Sequence, residues 1–178
     1  MTTEIERLER CLTFWRRSPD GLVVDADWRP VEQVLGRLPS DYKRFVERRG
    51  QGSIDFFLHV CGAASLAWTA EAELAAMRDV RSSDPECCPM PLFPEPAGWL
   101  PWGTTDNGNV CWWNRRSDDP DEWTVAVTGR GPQVWEHPGG MADFLDAVLR
   151  RACRCPLFPA DFPGDLPVTY GGIGDAVD

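Results

Sequence analysis

The residues that most constrain this chain are Asp106-Asn107-Gly108-Asn109, set between the apolar runs Leu100-Pro101-Trp102 and Val110-Cys111-Trp112-Trp113. Asn-Gly between two apolar runs is the strongest short-range hairpin signal, because both residues accept a positive φ. It predicts two antiparallel strands here. The next β-rich segments follow at short spacing. Residues 123–127, Trp-Thr-Val-Ala-Val, come after the acidic turn Ser117-Asp118-Asp119-Pro120-Asp121, and Gln133-Val134-Trp135-Glu136 comes after Gly129-Arg130-Gly131-Pro132. Short strands joined by turns pair as antiparallel neighbours.

Helical periodicity flanks this β region. Ile5, Leu8, Leu12 and Trp15 predict an amphipathic helix over residues 4–16, opened by the capping-box pattern Thr3-Glu4-Ile5-Glu6. A turn follows at Ser18-Pro19-Asp20-Gly21. Pro30 suits a first helical position, with Val31, Val34, Leu35 and Leu38 on one face. A third helix starts near Ser40-Asp41, turns Tyr42, Phe45 and Val46 inward, and stops at Arg48-Arg49-Gly50. Residues 54–60, Ile-Asp-Phe-Phe-Leu-His-Val, read as one strand. Thr69 caps a predicted helix over residues 70–81, with Leu74, Met77 and Val80 inward. Five prolines make residues 83–98 a loop. Met141 begins a last helix, with Phe144, Leu145, Val148 and Leu149 inward. Helices, then strands, then a helix describe an α+β fold with a central, mainly antiparallel sheet. With 178 residues, the expected organisation is a single domain over residues 1–155, with a Pro- and Gly-rich tail over residues 156–178. Phe158, Phe162 and Tyr170 are expected to pack part of that tail back, and residues 171–178 to be loose.

Charge narrows the partners. The 28 acidic and 18 basic residues give a net charge of -10. A polyanion is repelled on average, so neither nucleic acid nor an anionic membrane is expected, whereas a basic protein matches. No apolar run reaches the ~18 residues a membrane helix needs, and the N-terminus carries no signal-like segment, so a cytoplasmic location is expected. Seven cysteines, an odd number, then read as reduced thiols. The tightest cysteine spacings, Cys87-Cys88 and Cys153-Arg154-Cys155, depart from the ligand spacing of structural zinc, and no metal or other cofactor is expected.

Catalytic patterns are thin. His59 and Cys61 would share a strand face, as a Cys/His nucleophile pair requires, but the run is apolar and buried thiols are inert. Gly50-Gln51-Gly52 follows a helix, whereas a phosphate loop follows a strand and opens a helix. The reading is therefore non-enzymatic. Asp118, Asp119, Asp121 and Glu122 cluster in one turn, while Asp106 and Asn107 sit in the preceding hairpin loop. Such acids steer a basic partner if they converge, and are solvated loops if they do not. Their spacing does not match a calcium loop. Of the nine tryptophans, one or two are expected as exposed anchors, and Trp113 is placed with the partner-binding residues.

Three segments together carry a family resemblance. The first is Leu38-Pro39-Ser40-Asp41-Tyr42-Lys43-Arg44-Phe45, closing in Gly50-Gln51-Gly52-Ser53-Ile54. The second is Leu100-Pro101-Trp102-Gly103 with Asp106-Asn107-Gly108-Asn109. The third is the run 123–127, then Trp135 and Phe144-Leu145. In this order, over residues 28–150, the chain resembles the SUKH superfamily of Smi/Knr-like domains. Residues 62–98 and the tail after 155 exceed that pattern. The resemblance implies an α+β domain that is mostly non-enzymatic. It also implies an immunity protein that binds a cognate polymorphic toxin, often a nuclease, and occludes its active site. The alternative it implies is an intracellular regulatory or scaffolding protein acting through protein contacts. Neither reading fixes the oligomeric state.

Overall fold

The computed structural model describes residues 4–14 and 26–171. The helices are α1 (Glu4–Glu9), α2 (Arg29–Leu35), α3 (Ser40–Arg49), α4 (Ala63–Ser83) and α5 (Met141–Leu149). The strands are β1 (Leu12–Phe14), β2 (Gly52–Ile54), β3 (Leu58–Val60), β4 (Leu100–Thr105), β5 (Val110–Asn114), β6 (Thr124–Thr128), β7 (Val134–His137) and β8 (Val168–Gly171). They form one sheet in the order β1-β8-β2-β3-β4-β5-β6-β7. Only the β1/β8 pair is parallel among the described strands, so the fold is α+β with a mainly antiparallel sheet.

The central hairpin forms, with a wider turn than Asn-Gly alone predicts. Thr105 and Asn109 close a three-residue loop, since Thr105 N donates to Asn109 O at 3.0 Å. Gly108 alone takes the left-handed conformation in this loop, at φ 75°. A three-residue loop ending in left-handed glycine is the next commonest hairpin solution.

Cross-strand partners share a face, and this divides the sheet's side chains into two layers. Leu58, Val60, Trp102, Cys111, Trp113, Val125 and Val127 face α3 and α5, where Tyr42, Phe45, Phe144 and Leu145 complete the larger core. Trp113 lies 4.9 Å from Tyr42 and 6.2 Å from Trp123, ring centre to ring centre. The opposite face carries Val110, Trp112 and Ala126, covered by Leu74 of α4 and by Cys88, Met90, Leu92 and Trp99 of the Pro-rich loop. That loop is held to α4 by Arg81, which donates to Met90 O and pairs with Glu95 at 2.7 Å.

Several sequence expectations need correction. The run 54–60 is a hairpin rather than one strand, because Asp55 and Phe56 both take positive φ (53° and 54°) and reverse the chain between β2 and β3. Helix α4 begins seven residues before position 70, on Gly62 rather than Thr69, and Ser65 Oγ accepts from Gly62 N at 3.1 Å. Its buried residues are Leu66, Ala70 and Leu74, and Val80 is exposed. In α2, Val34 is also exposed. The first helix stops at Glu9 and Leu12 enters β1 instead, while Trp15 and the Ser18 turn lie outside the described residues.

The tail contributes more than packing. Its strand β8 fits between β1 and β2, where Val168 and Tyr170 are buried, so Gly171 ends a strand while residues 172–178 lie outside the described residues. Tyr170 Oη donates to Gly50 O at 2.8 Å, which fastens this strand to the end of α3. Among the described residues no helix is long and apolar enough to cross a membrane.

Candidate functional site

The acids read from the sequence fall at two ends of the molecule. Asp106 and Asn107 occupy the β4–β5 turn, and residues 118–122 the β5–β6 connection. The five-residue β5 separates them by roughly 17 Å of extended chain. They therefore do not form one patch, although all six are exposed. Three acids of the second group already serve the local fold. Asp121 Oδ1 accepts Ser40 N at 2.6 Å, capping the first turn of α3, and this bond is the largest cause of its lowered pKa. Asp119 accepts Asp121 N at 3.2 Å, and Glu122 accepts the Ser117 hydroxyl at 2.7 Å. Trp113 is not at the surface: it is 0% exposed, because the odd positions of β5 face the larger core. It is a packing residue, and its placement among partner contacts is corrected.

A concave site lies elsewhere, between α4 and strands β2, β3 and β4, with a volume of about 660 Å³. Register builds its floor. Ser53 pairs with His59 and His59 with Thr104, so the three side chains share the face that α4 crosses. Ser65, Trp68, Thr69 and Glu73, at helical spacing along α4, form one wall. Phe56 at the tip of the β2–β3 turn and Asp106 at the β4–β5 turn form the mouth.

Two aromatic rings stand open here. Trp68 is 73% exposed and Phe56 50% exposed, the largest open aromatic surfaces among the described residues. Phe56 is presented by a left-handed backbone, a conformation that costs about 1–3 kcal/mol and tends to persist at functional turns. Trp68 is two positions from both Leu66 and Ala70, which turns it away from the buried stripe of α4.

The polar groups are unevenly satisfied. His59 Nε2 and Asp106 Oδ1 are 2.6 Å apart, tying β3 to the β4–β5 turn, and Asp106 N donates to Phe57 O at 3.1 Å. Glu73 has no hydrogen-bond or ion-pair partner among the described residues, and burial raises its pKa. Ser53 Oγ is buried without a hydrogen bond among the described residues. Cys61, behind His59, has its thiol pushed up to about 11 by burial, which outweighs the hydrogen bond from Thr69. A thiol held there is protonated at neutral pH and is a weak nucleophile.

The site thus offers carboxylates, open aromatic faces and a deep, unreactive thiol. That chemistry suits recognition of a cationic or amphipathic surface. Sequence reading missed Trp68, Phe56 and Glu73. The signal available was the helix-forming run Ala63-Ala64-Ser65-Leu66-Ala67 after Gly62. Starting the helix there turns Trp68 away from the buried stripe and brings Glu73, seven positions after Leu66, to the edge of that stripe. Among the described residues no three His, Cys, Asp or Glu side chains gather as a metal ion would require. No family model matches the chain, and neither a curated protein nor a solved structure matches it.

Proposed function

We propose that this chain is an immunity-type protein that acts in the cytosol by binding a basic, cognate polymorphic toxin and covering its active site. Three ordered segments resembling SUKH domains support this reading, as does the net charge of -10. The observation that carries the site assignment is the presence of two exposed rings, Trp68 on the wall and Phe56 at the mouth, in one cleft that Glu73 and Asp106 also line. Tryptophan dominates binding hot spots because a large ring, once desolvated by a partner, gains contact area at little entropic cost. Asp106 and Asn107 flank that centre. Asp118, Asp119, Asp121 and Glu122, at the far end of β5, add long-range attraction for a basic partner, which raises the association rate.

The test is affinity capture of the tagged protein from its own cells at low and moderate salt, repeated with Trp68→Ala. The expected result is one stoichiometric basic partner, lost from the variant, that is toxic when expressed alone and harmless when co-expressed with the wild-type chain. Several weak partners, retained by Trp68→Ala and unconnected with toxicity, would replace this reading with that of a regulatory or scaffolding protein.

A further inference from the structure

We propose that the cleft between α4 and the β2–β4 strands receives the guanidinium of an arginine side chain on the partner, with Glu73 as its counter-ion and the Trp68 ring as its wall. The proposal rests on the basic-partner reading above and deepens it by naming the side chain that enters. Glu73 is a half-buried carboxylate without a partner among the described residues. Withdrawing a charge from water without pairing it is unfavourable, and an incoming cation recovers that loss.

The remaining walls select the kind of cation. Trp68 lines the same cleft and is open to solvent over most of its surface. An indole face attracts a cation electrostatically, and a planar guanidinium also stacks on it. Guanidinium carries five N–H donors and is weakly hydrated, so it enters a partly dry cleft more readily than a compact ammonium. Ser53 and Thr104 line the floor of the cleft, and the Ser53 hydroxyl makes no hydrogen bond among the described residues. Asp106 stands at the mouth, where its 2.6 Å contact with His59 fixes the carboxylate. The volume of about 660 Å³ admits an arginine side chain with its neighbouring backbone.

The probe is Nα-acetyl-L-arginine methylamide, titrated into the full-length ¹⁵N-labelled protein, with the Trp68 indole N–H signal assigned through Trp68→Phe. The expected result is a saturable shift of the Trp68 indole and of the backbone amides around Glu73 in the millimolar range. The lysine counterpart should bind at least threefold more weakly. Glu73→Gln, checked for an unchanged fold by its melting curve, should weaken arginine binding at least tenfold. Absence of a saturable shift at Trp68, equal binding of the lysine probe, or undiminished binding to Glu73→Gln would each overturn the proposal. None of these failures touches the immunity reading, which stands or falls on partner capture and rescue. Conversely, probe binding without partner capture would sink that reading alone.

Discussion

The two faces of the sheet solve different problems with the same residue type. On one face Trp102, Trp113 and Trp123 are shut in against Tyr42 and Phe144, and every ring has aromatic neighbours. On the other, α4 and the Pro-rich loop, together with Trp99, cover Trp112 but leave the strip over Ser53, His59 and Thr104 open, with Trp68 standing at its edge. The first face holds the fold together. The second is only partly covered, and its uncovered part carries Glu73, whose carboxylate has no ion-pair partner among the described residues, the exposed rings of Trp68 and Phe56, and the paired His59 and Asp106. A tryptophan in this chain therefore has no single meaning; its role follows from which layer the local element turns it toward.

The sharpest way to break this comparison is to truncate one ring on each side. Trp113→Ala should cost about 3–5 kcal/mol of stability in a urea melt, because a large cavity opens in a packed core. Trp68→Ala should change stability by no more than about 0.5 kcal/mol, as for other surface positions, yet weaken partner binding by tenfold or more, measured by titration calorimetry. If both variants destabilise alike, the division into a closed and an open face is wrong.

A smaller effect sharpens the assignment of the acids. Asp121→Asn removes a charged acceptor from Ser40 N and should cost about 1 kcal/mol at neutral pH. The Asp121 pKa is lowered in the fold, so its contribution is present above the ordinary aspartate value of 3.8 and fades as pH falls through the lower, folded value. The stability gap between wild type and variant should close over that acidic window, as read from melting temperature against pH. Asp118→Lys, at an exposed residue of the same turn, should slow association and reduce its salt dependence without altering stability.

The smallest effect belongs to the cleft. Glu73 has the opposite shift: burial raises its pKa, so the folded state holds its proton more tightly than the unfolded chain does. Its cost is present above the folded pKa and disappears as pH falls toward the ordinary 4.5. Glu73→Gln should therefore melt at the same temperature as wild type or slightly higher at pH 7, and converge with it below pH 4.5. A variant less stable at pH 7 would mean that Glu73 is already paired, and the cleft would lose its counter-ion.

Apart from Trp113, the closed face was legible in the sequence, and the open one was not. Tyr42, Phe45, Phe144 and Leu145 advertise themselves through helical periodicity, and the central hairpin through its turn residues. These signals are local. The cleft arises from non-local choices. Gly62 starts α4 in a stretch whose small residues show little periodicity, Asp55 and Phe56 reverse the chain without a glycine or proline to mark the turn, and β8 is recruited from a Pro-rich tail by pairing with β1 and β2. The acids around Asp118 were visible, but their separation from Asp106 follows from the length of β5 and the direction in which each turn points.

The most direct measurement is the dissociation constant of the purified protein–partner pair for wild type, the double variant Phe56→Ala/Trp68→Ala, and Asp118→Lys. The open-face account predicts at least a tenfold loss for the double variant at an unchanged melting temperature, with Asp118→Lys altering mainly the association rate. Unchanged affinity in the double variant, with binding abolished by Asp118→Lys, would place the interface at the far end of β5 and contradict it.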